Sequence, residues 1–187
     1  MILKPSACRA FEARKPGRRL STKRVKASDR ASSLPHEHGA FSPDGIFRIT
    51  QRVCDFQLDQ FGVVNNSVYC NYLEHCRSEA FHALGFNVHE TARQGKALAL
   101  SQLNMAYKLP LRSRDTFEVR MWVERVTGAR IALGQDIFLQ ATGEQVLTAE
   151  AVIVWLDNRY KPVRLPPEER AAFQKLYEQR IQSLART

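Results

Sequence analysis

Several large classes of protein are excluded by what this 187-residue chain lacks. It holds no run of about 18 apolar residues, so hydropathy offers no membrane-spanning helix. Its four cysteines, Cys8, Cys54, Cys70 and Cys76, form no CxxC pair; free thiols in a reducing compartment are the simple reading. GxSxG is missing, which argues against a serine hydrolase built on a nucleophile elbow. Walker A, GxGxxG and HExxH are missing too, which removes the usual signatures of nucleotide, dinucleotide and zinc-protease chemistry. His75, His82 and His89 recur every seven residues, but with no cysteine set for zinc. Neither a metal nor a cofactor is expected.

Acidic residues are also scarce at the start of the chain. Residues 1–35 contain ten Lys and Arg against only Glu12 and Asp29, so they carry eight of the nine net positive charges. The remainder is nearly neutral, which argues against a nucleic-acid partner for the domain itself. Residues 1–45 show no apolar period and are rich in Arg, Lys, Ser and Ala. That composition predicts an organelle transit peptide, cleaved between about residues 25 and 45. A basic tail that binds RNA or acidic lipid is the other reading. Residues 46–187 form the expected domain.

From Phe47 the pattern becomes regular. Phe47, Ile49, Gln51 and Val53 share one face of a predicted strand. A loop over 57–66 leads into a helix over about 67–84, with Val68, Tyr72, Cys76, Ala80 and Leu84 at helical spacing and Leu73 and Ala83 beside them. Asn65 or Asn66 suits the N-cap and Gly85 the stop. Glu74 and Glu79 are expected at the surface or paired with Arg77, and Tyr69 and Tyr72 in the core or an interface. Strands follow at about 98–109, 116–126, 129–141 and 145–156, with Thr127-Gly128 and Thr142-Gly143 as hairpin turns. A polar helix is expected near 168–184. The order strand, long helix, four antiparallel strands predicts an α+β architecture, one curved antiparallel sheet wrapped around one helix. The edge strands of such a sheet need cover, so a homodimer or homotetramer is expected.

The segment with chemical potential is Asp55–Glu74. Asp59 stands in the loop just before a helix N-terminus, where unpaired N–H groups and the positive end of the helix dipole can hold an oxyanion. A carboxylate there could activate water or attack a carbonyl itself. Gly62 allows a tight turn or the close approach of a ligand. Val64, Asn65, Asn66 and Ser67 complete the candidate substrate and oxyanion region. Each has a purely structural reading: a turn carboxylate for Asp59, capping for the asparagines, turn geometry for Gly62.

At this segment the sequence, DQFGVVNNSVYCNYLEHCR, resembles the hotdog enzymes of the 4-hydroxybenzoyl-CoA thioesterase type. Their pattern is Asp, two residues, Gly-Val-Val, then a helix with Tyr-x-x-Tyr. The likeness is closer to the plant acyl-lipid thioesterases, including the methylketone-synthase type. It rests on LDQFGVVNNSVYCNY, ALALSQLNMAYKLPLRS and VIVWLDNRYKPVRLP and covers about residues 46–170. The resemblance implies a single hotdog fold and plastid import. It also implies hydrolysis of acyl-acyl carrier protein to free fatty acids or β-keto acids, with Asp59 as the catalytic carboxylate. The larger two-hotdog plant thioesterases place an Asn and a His after the Asp. Here Phe61 and Val63 stand at those positions, so that machinery does not carry over.

Overall fold

The computed structural model describes residues 39–86, 88–93 and 97–186. The leader up to residue 38 therefore lies outside the described residues. Six strands form one antiparallel sheet: β1 (Ala40–Phe41), β2 (Phe47–Arg52), β3 (Ala97–Tyr107), β4 (Thr116–Val126), β5 (Arg130–Leu139) and β6 (Gln145–Leu156). Their spatial order is β1-β2-β4-β5-β6-β3. Among the described residues three α-helices and a 3-10 turn (Asp55–Gln57) accompany them: α1 (Asn66–Ala83), α2 (Val88–Arg93) and α3 (Pro167–Leu184). This is the hotdog plan. β1 and α2 are additions to the predicted elements, and β1 precedes the domain start expected at residue 46. Two residues of β1 carry no period to read; they are held by pairing with Phe47 and Arg48.

β4 explains the layering. Its alternate residues Phe117, Val119, Met121 and Val123 are all at most 1% exposed, whereas Glu118, Arg120 and Trp122 face the other way and are half-buried. α1 lies on the first face, with the Tyr72 and Phe117 rings 4.6 Å apart. On the opposite face the Arg120 guanidinium sits 4.1 Å above the Phe138 ring. There Trp122 lies so close over Gly134 that a Cβ added to the glycine would stand 2.3 Å from the indole.

α1 begins where Asn65 accepts the Ser67 N–H and ends in a Schellman motif. Phe86 N–H bonds the Phe81 carbonyl at 3.0 Å, Gly85 N–H bonds the His82 carbonyl at 2.9 Å, and Gly85 takes a φ of 83°. The Phe86 ring then stacks on Phe173 of α3 at 5.2 Å.

The buried face of α1 is Tyr69, Tyr72, Leu73, Cys76, Arg77, Ala80 and Phe81. Ala83, expected inward, is exposed, and Val68 and Leu84 are only half-buried. A row of residues four apart advances about 40° beyond a full turn at each step, so it spirals off any flat contact. Glu74 is exposed, the first of the two expectations for it, and Glu79 is half-buried. Arg77 pairs with neither but is 6% exposed, and its Nη1 donates to Gln135 Oε1 at 2.7 Å. Gln135 Nε2 in turn donates to the Leu73 carbonyl at 3.0 Å, and Gln51 Nε2 to the Tyr72 carbonyl at 3.3 Å. Burial pulls the Arg77 pKa down, opposed by the field of Glu74.

Candidate active site

The loop before α1 is a closed hairpin. Leu58 and Val64 pair across it, and Asp59 N–H bonds the Val63 carbonyl at 2.8 Å. Gly62 N–H bonds the Asp59 carbonyl at 3.0 Å, so residues 59–62 form one tight turn. Gly62 takes a φ of 71° with nothing within 4 Å of where a Cβ would stand. Its glycine is thus required by backbone conformation, and the space above it is open.

Two external braces fix the hairpin. Val63 pairs with Arg112, and Val64 N–H bonds the Leu111 carbonyl at 2.9 Å. Leu111 is fully buried, and its N–H bonds the Tyr69 hydroxyl at 3.0 Å. Gln57 is the second brace. Its Oε1 accepts the Tyr72 hydroxyl at 2.7 Å and the Cys54 N–H at 2.8 Å, while its carbonyl accepts the Asn65 N–H at 3.0 Å. Neither Leu111 nor Gln57 stood out in the sequence, since a backbone brace and a lone glutamine have no spacing signature. The two tyrosines of the YCNY segment are therefore core residues that tether the loop to the helix.

Asp59 is half-buried. Its Oδ1 accepts the Phe61 N–H at 2.8 Å, which orients the carboxylate in the manner of an Asx turn. Its Oδ2 has no partner among the described residues. The turn reading and the reactive reading are thus compatible: one oxygen holds the side chain and the other is open to an external donor.

The predicted oxyanion region resolves unequally. Gly62, Val64, Asn65 and Ser67 N–H groups are engaged by Asp59 O, Leu111 O, Gln57 O and Asn65 Oδ1 respectively. Val64 is moreover 2% exposed, with its side chain in the core. Asn65 also takes the Ser67 hydroxyl at 2.8 Å, so its side chain is the cap. Asn66 N–H alone of the five has no acceptor among the described residues. It is the first residue of an 18-residue helix and stands seven positions after Asp59. Its carbonyl accepts the Tyr107 hydroxyl at 3.0 Å, which ties the end of β3 to the site. Around this hairpin Phe56 and Phe61 are 85% and 76% exposed, and Leu109 is 37% exposed. No group of three or more His, Cys, Asp or Glu suited to a metal occurs among the described residues.

A helix seated on an antiparallel sheet, with an oriented carboxylate and an amide without an acceptor at the helix start, defines a hotdog protein with a polar loop at the helix N-terminus. The chain belongs to the thioesterase-like superfamily, whose family model matches residues 54–173. It is 47% identical over 122 residues to the Arabidopsis thaliana protein named acyl-acyl carrier protein thioesterase ATL3, chloroplastic. That match covers 65% of this chain and 64% of the relative, so it spans a little under two thirds of that relative's length. The ATL2 protein of the same plant and name is 41% identical over 135 residues, 72% of each chain. A 1,4-dihydroxy-2-naphthoyl-CoA thioesterase from Synechocystis superposes with a TM-score of 0.66 at 16% identity, covering 70% of this chain and 97% of that one. A DHNA-CoA thioesterase from Staphylococcus aureus gives 0.65 at 24% identity, covering 74% and 92%. These two likenesses establish the fold.

Proposed function

We propose that the chain is a plastid thioesterase that hydrolyses fatty acyl or β-ketoacyl thioesters of acyl carrier protein, with Asp59 as the catalytic carboxylate. One observation carries the reading. An oriented carboxylate stands just ahead of the positive end of a long helix, and the first N–H of that helix, Asn66, has no acceptor among the described residues. Asp59 Oδ2 takes a proton from water as the water oxygen bonds to the thioester carbon. The carbonyl electrons move to oxygen, where the Asn66 N–H and the helix dipole hold the negative charge. Collapse breaks the C–S bond, and the thiolate recovers the proton from Asp59. Direct attack by the carboxylate, with hydrolysis of the resulting anhydride, uses the same two groups. The exposed Phe56, Phe61 and Leu109 supply apolar surface of the kind an acyl chain or a second protomer covers.

The reading of a homodimer or homotetramer rests on β3. It is the last strand of the sheet, with Leu100 and Tyr107 each 44% exposed. Antiparallel pairing of β3 with its copy across a two-fold axis would cover that edge. Plastid import rests on the acid-poor leader and on the chloroplastic names of the two plant relatives.

The test is to assay the full chain on panels of acyl-acyl carrier protein and acyl-CoA against Asp59→Asn, with folding and oligomeric state compared first. A loss of at least about a hundredfold in kcat, about 2.7 kcal/mol of transition-state stabilisation, is expected. Equal turnover by the variant would refute the role of Asp59. No turnover of any thioester by the wild type would leave a non-catalytic acyl-binding scaffold.

A further inference from the structure

Residues 39–45 lie upstream of the domain start that the sequence predicts, yet they are built into the fold. Ala40 and Phe41 pair with Arg48 and Phe47 as the outermost strand of the sheet. A Cβ added to Gly39 would stand 2.2 Å from the Phe47 ring and 2.8 Å from the Arg48 carbonyl oxygen, so only glycine lets the chain pass this close to β2. The Phe41 ring meets that of Phe47 edge-on at 5.0 Å, and Phe47 is fully buried. A closed turn follows. Ser42 N–H bonds the Ile46 carbonyl and Gly45 N–H the Ser42 carbonyl, each at 3.0 Å. Inside the turn Asp44 Oδ1 accepts the Ser42 hydroxyl at 2.7 Å and the Ile46 N–H at 3.1 Å. From β2 the Arg48 guanidinium closes the turn, 2.7 Å from Asp44 Oδ2.

The same turn is pressed against α3. Gly45 takes a φ of 73°, and a Cβ added to it would stand 2.5 Å from the Leu176 carbonyl oxygen and 3.1 Å from the Arg180 nitrogen. This is the helix whose Phe173 packs on Phe81 and Phe86 at the end of α1. Residues 39–46 therefore join β2 on one side to α3 on the other. A protease cuts chain that it can draw out as an extended strand, so bonds paired in a sheet or closed in a turn are cut only after local opening. Composition alone leaves removal of the leader anywhere between about residues 25 and 45. The fold divides that window at Gly39, because everything beyond it is paired, closed or packed.

Resting on the reading of plastid import, we propose that processing of the leader ends upstream of Gly39, and that residues 39–46 stay in the mature chain as a clamp joining the first edge of the sheet to α3. A cut inside the clamp would leave Phe47 at a bare edge and separate Asp44 from Arg48. The mature N-terminus accordingly falls between about residue 25 and Gly39.

Two digests of the full chain test this. In the first, proteinase K trims the protein and mass spectrometry reads the resistant fragment. Bonds within residues 40–46 of the wild type are expected to be cut at least about a hundredfold more slowly than those of the leader. Gly39→Val drives a side chain into the Phe47 ring and the Arg48 carbonyl, and is expected to raise cutting within residues 40–46 by about tenfold or more. A resistant fragment from Phe47 onward is expected to remain. Gly45→Val opens the clamp from the α3 side and takes its place if Gly39→Val leaves no such fragment. In the second digest, plastid stromal extract cuts the full chain and N-terminal sequencing reads the new end, expected between about residue 25 and Gly39. A stromal end beyond Gly39 would overturn the proposal with import still standing. Trimming of the wild type through residues 40–46 at the leader's rate, or an unchanged rate in both variants, would refute the clamp. No stromal cut at all would remove the import reading and the processing limit with it, while the proteinase K digest, which needs no plastid factor, decides the clamp separately.

Discussion

Gln135→Leu is expected to be among the most damaging single substitutions outside the loop, although it replaces a polar residue by an apolar one in an apolar core. Gln135 is fully buried and lies between the Arg77 guanidinium and the Leu73 carbonyl, at 2.7 and 3.0 Å. Leucine cannot accept from Arg77. The guanidinium, itself 6% exposed, then has no partner where its acceptor stood. Stranding a buried charge costs about 3–5 kcal/mol, against roughly 1 kcal/mol for an ordinary hydrogen bond. Such a loss is a large share of the roughly 5–15 kcal/mol that holds a domain of this size.

The double substitution Arg77→Met/Gln135→Leu removes both the charge and its acceptor while keeping the volume. It is expected to recover most of the loss, because a buried polar pair exchanged for packed apolar groups is often close to neutral. Urea unfolding at pH 7 with a common m-value is the assay, and the coupling energy from the four-member cycle is the readout. The four proteins need the same oligomeric state, since a dimer's stability includes its concentration. A single-variant loss below about 1 kcal/mol would show that the guanidinium reaches water, and the reasoning would fail.

Gly62→Ala is expected to lose about 1–2 kcal/mol from its left-handed backbone alone, with no steric clash, and Gly62→Asn less; urea midpoints of the two variants check this. Gly134→Ala forces the Trp122 ring aside and is expected to cost about 1–3 kcal/mol, a loss that shrinks in a Trp122→Ala background. The Arg48 guanidinium, helped by the Ser42 hydroxyl and the Ile46 N–H, holds the Asp44 carboxyl far below the usual range. Its contribution is therefore present above about pH 4, the ordinary carboxylate value, and is lost as pH falls below it. Asp44→Asn is expected to cost about 1 kcal/mol at pH 7, with the gap to wild type closing toward pH 2 in thermal melts. Burial pushes the Cys76 thiol up to about 12, so at pH 8 it should resist iodoacetamide in the native protein, whereas exposed Cys54 is modified. Peptide mass spectrometry before and after urea reads both, and native labelling of Cys76 would contradict its burial.

Much of the fold was legible because its strands alternate cleanly. β4 reads Phe117, Val119, Met121 and Val123 inward without a break, and Gly128 and Gly143 punctuate its neighbours. α1 was legible in extent but not in facing. A helix of 18 residues laid on a twisted sheet is buried along a curved stripe, and a row of residues four apart leaves that stripe within two turns. The burial of Arg77 was not legible, because nothing local distinguishes an arginine that reaches solvent from one met by a glutamine 58 residues further along the chain. β1 is too short to have a period and depends on Arg48 and Phe47 for its place. Within the site, Asp59 was visible from its position before a helix start, but which amide remains open was not. That depends on Leu111 and Gln57, whose carbonyls reach the hairpin from outside it.

The external braces bear on how the loop could carry chemistry at all. A hairpin with a left-handed glycine and a free helix start would ordinarily relax, its amides turning to whichever acceptor is near. Here Leu111 and Gln57 take the Val64 and Asn65 amides, and Asn65 takes that of Ser67, so at the helix start Asn66 is left without an acceptor among the described residues. An open donor maintained in this way is already oriented when an oxyanion forms, which is the condition for electrostatic stabilisation without reorganisation. Gln57→Ala should expose the difference between holding and reacting. It removes the acceptors of Tyr72 and Cys54 yet leaves the Gln57 carbonyl, Asp59 and Asn66 in the chain. The expected result is a fall in kcat of about tenfold or more with KM little changed, and a stability loss of about 1–3 kcal/mol from the unpaired Tyr72 hydroxyl. A fall in kcat restored by Gln57→Glu, whose carboxylate can accept from the same two donors, would identify the braces as what holds the amide in position. Unchanged kcat in Gln57→Ala would mean that the helix start keeps its geometry unaided.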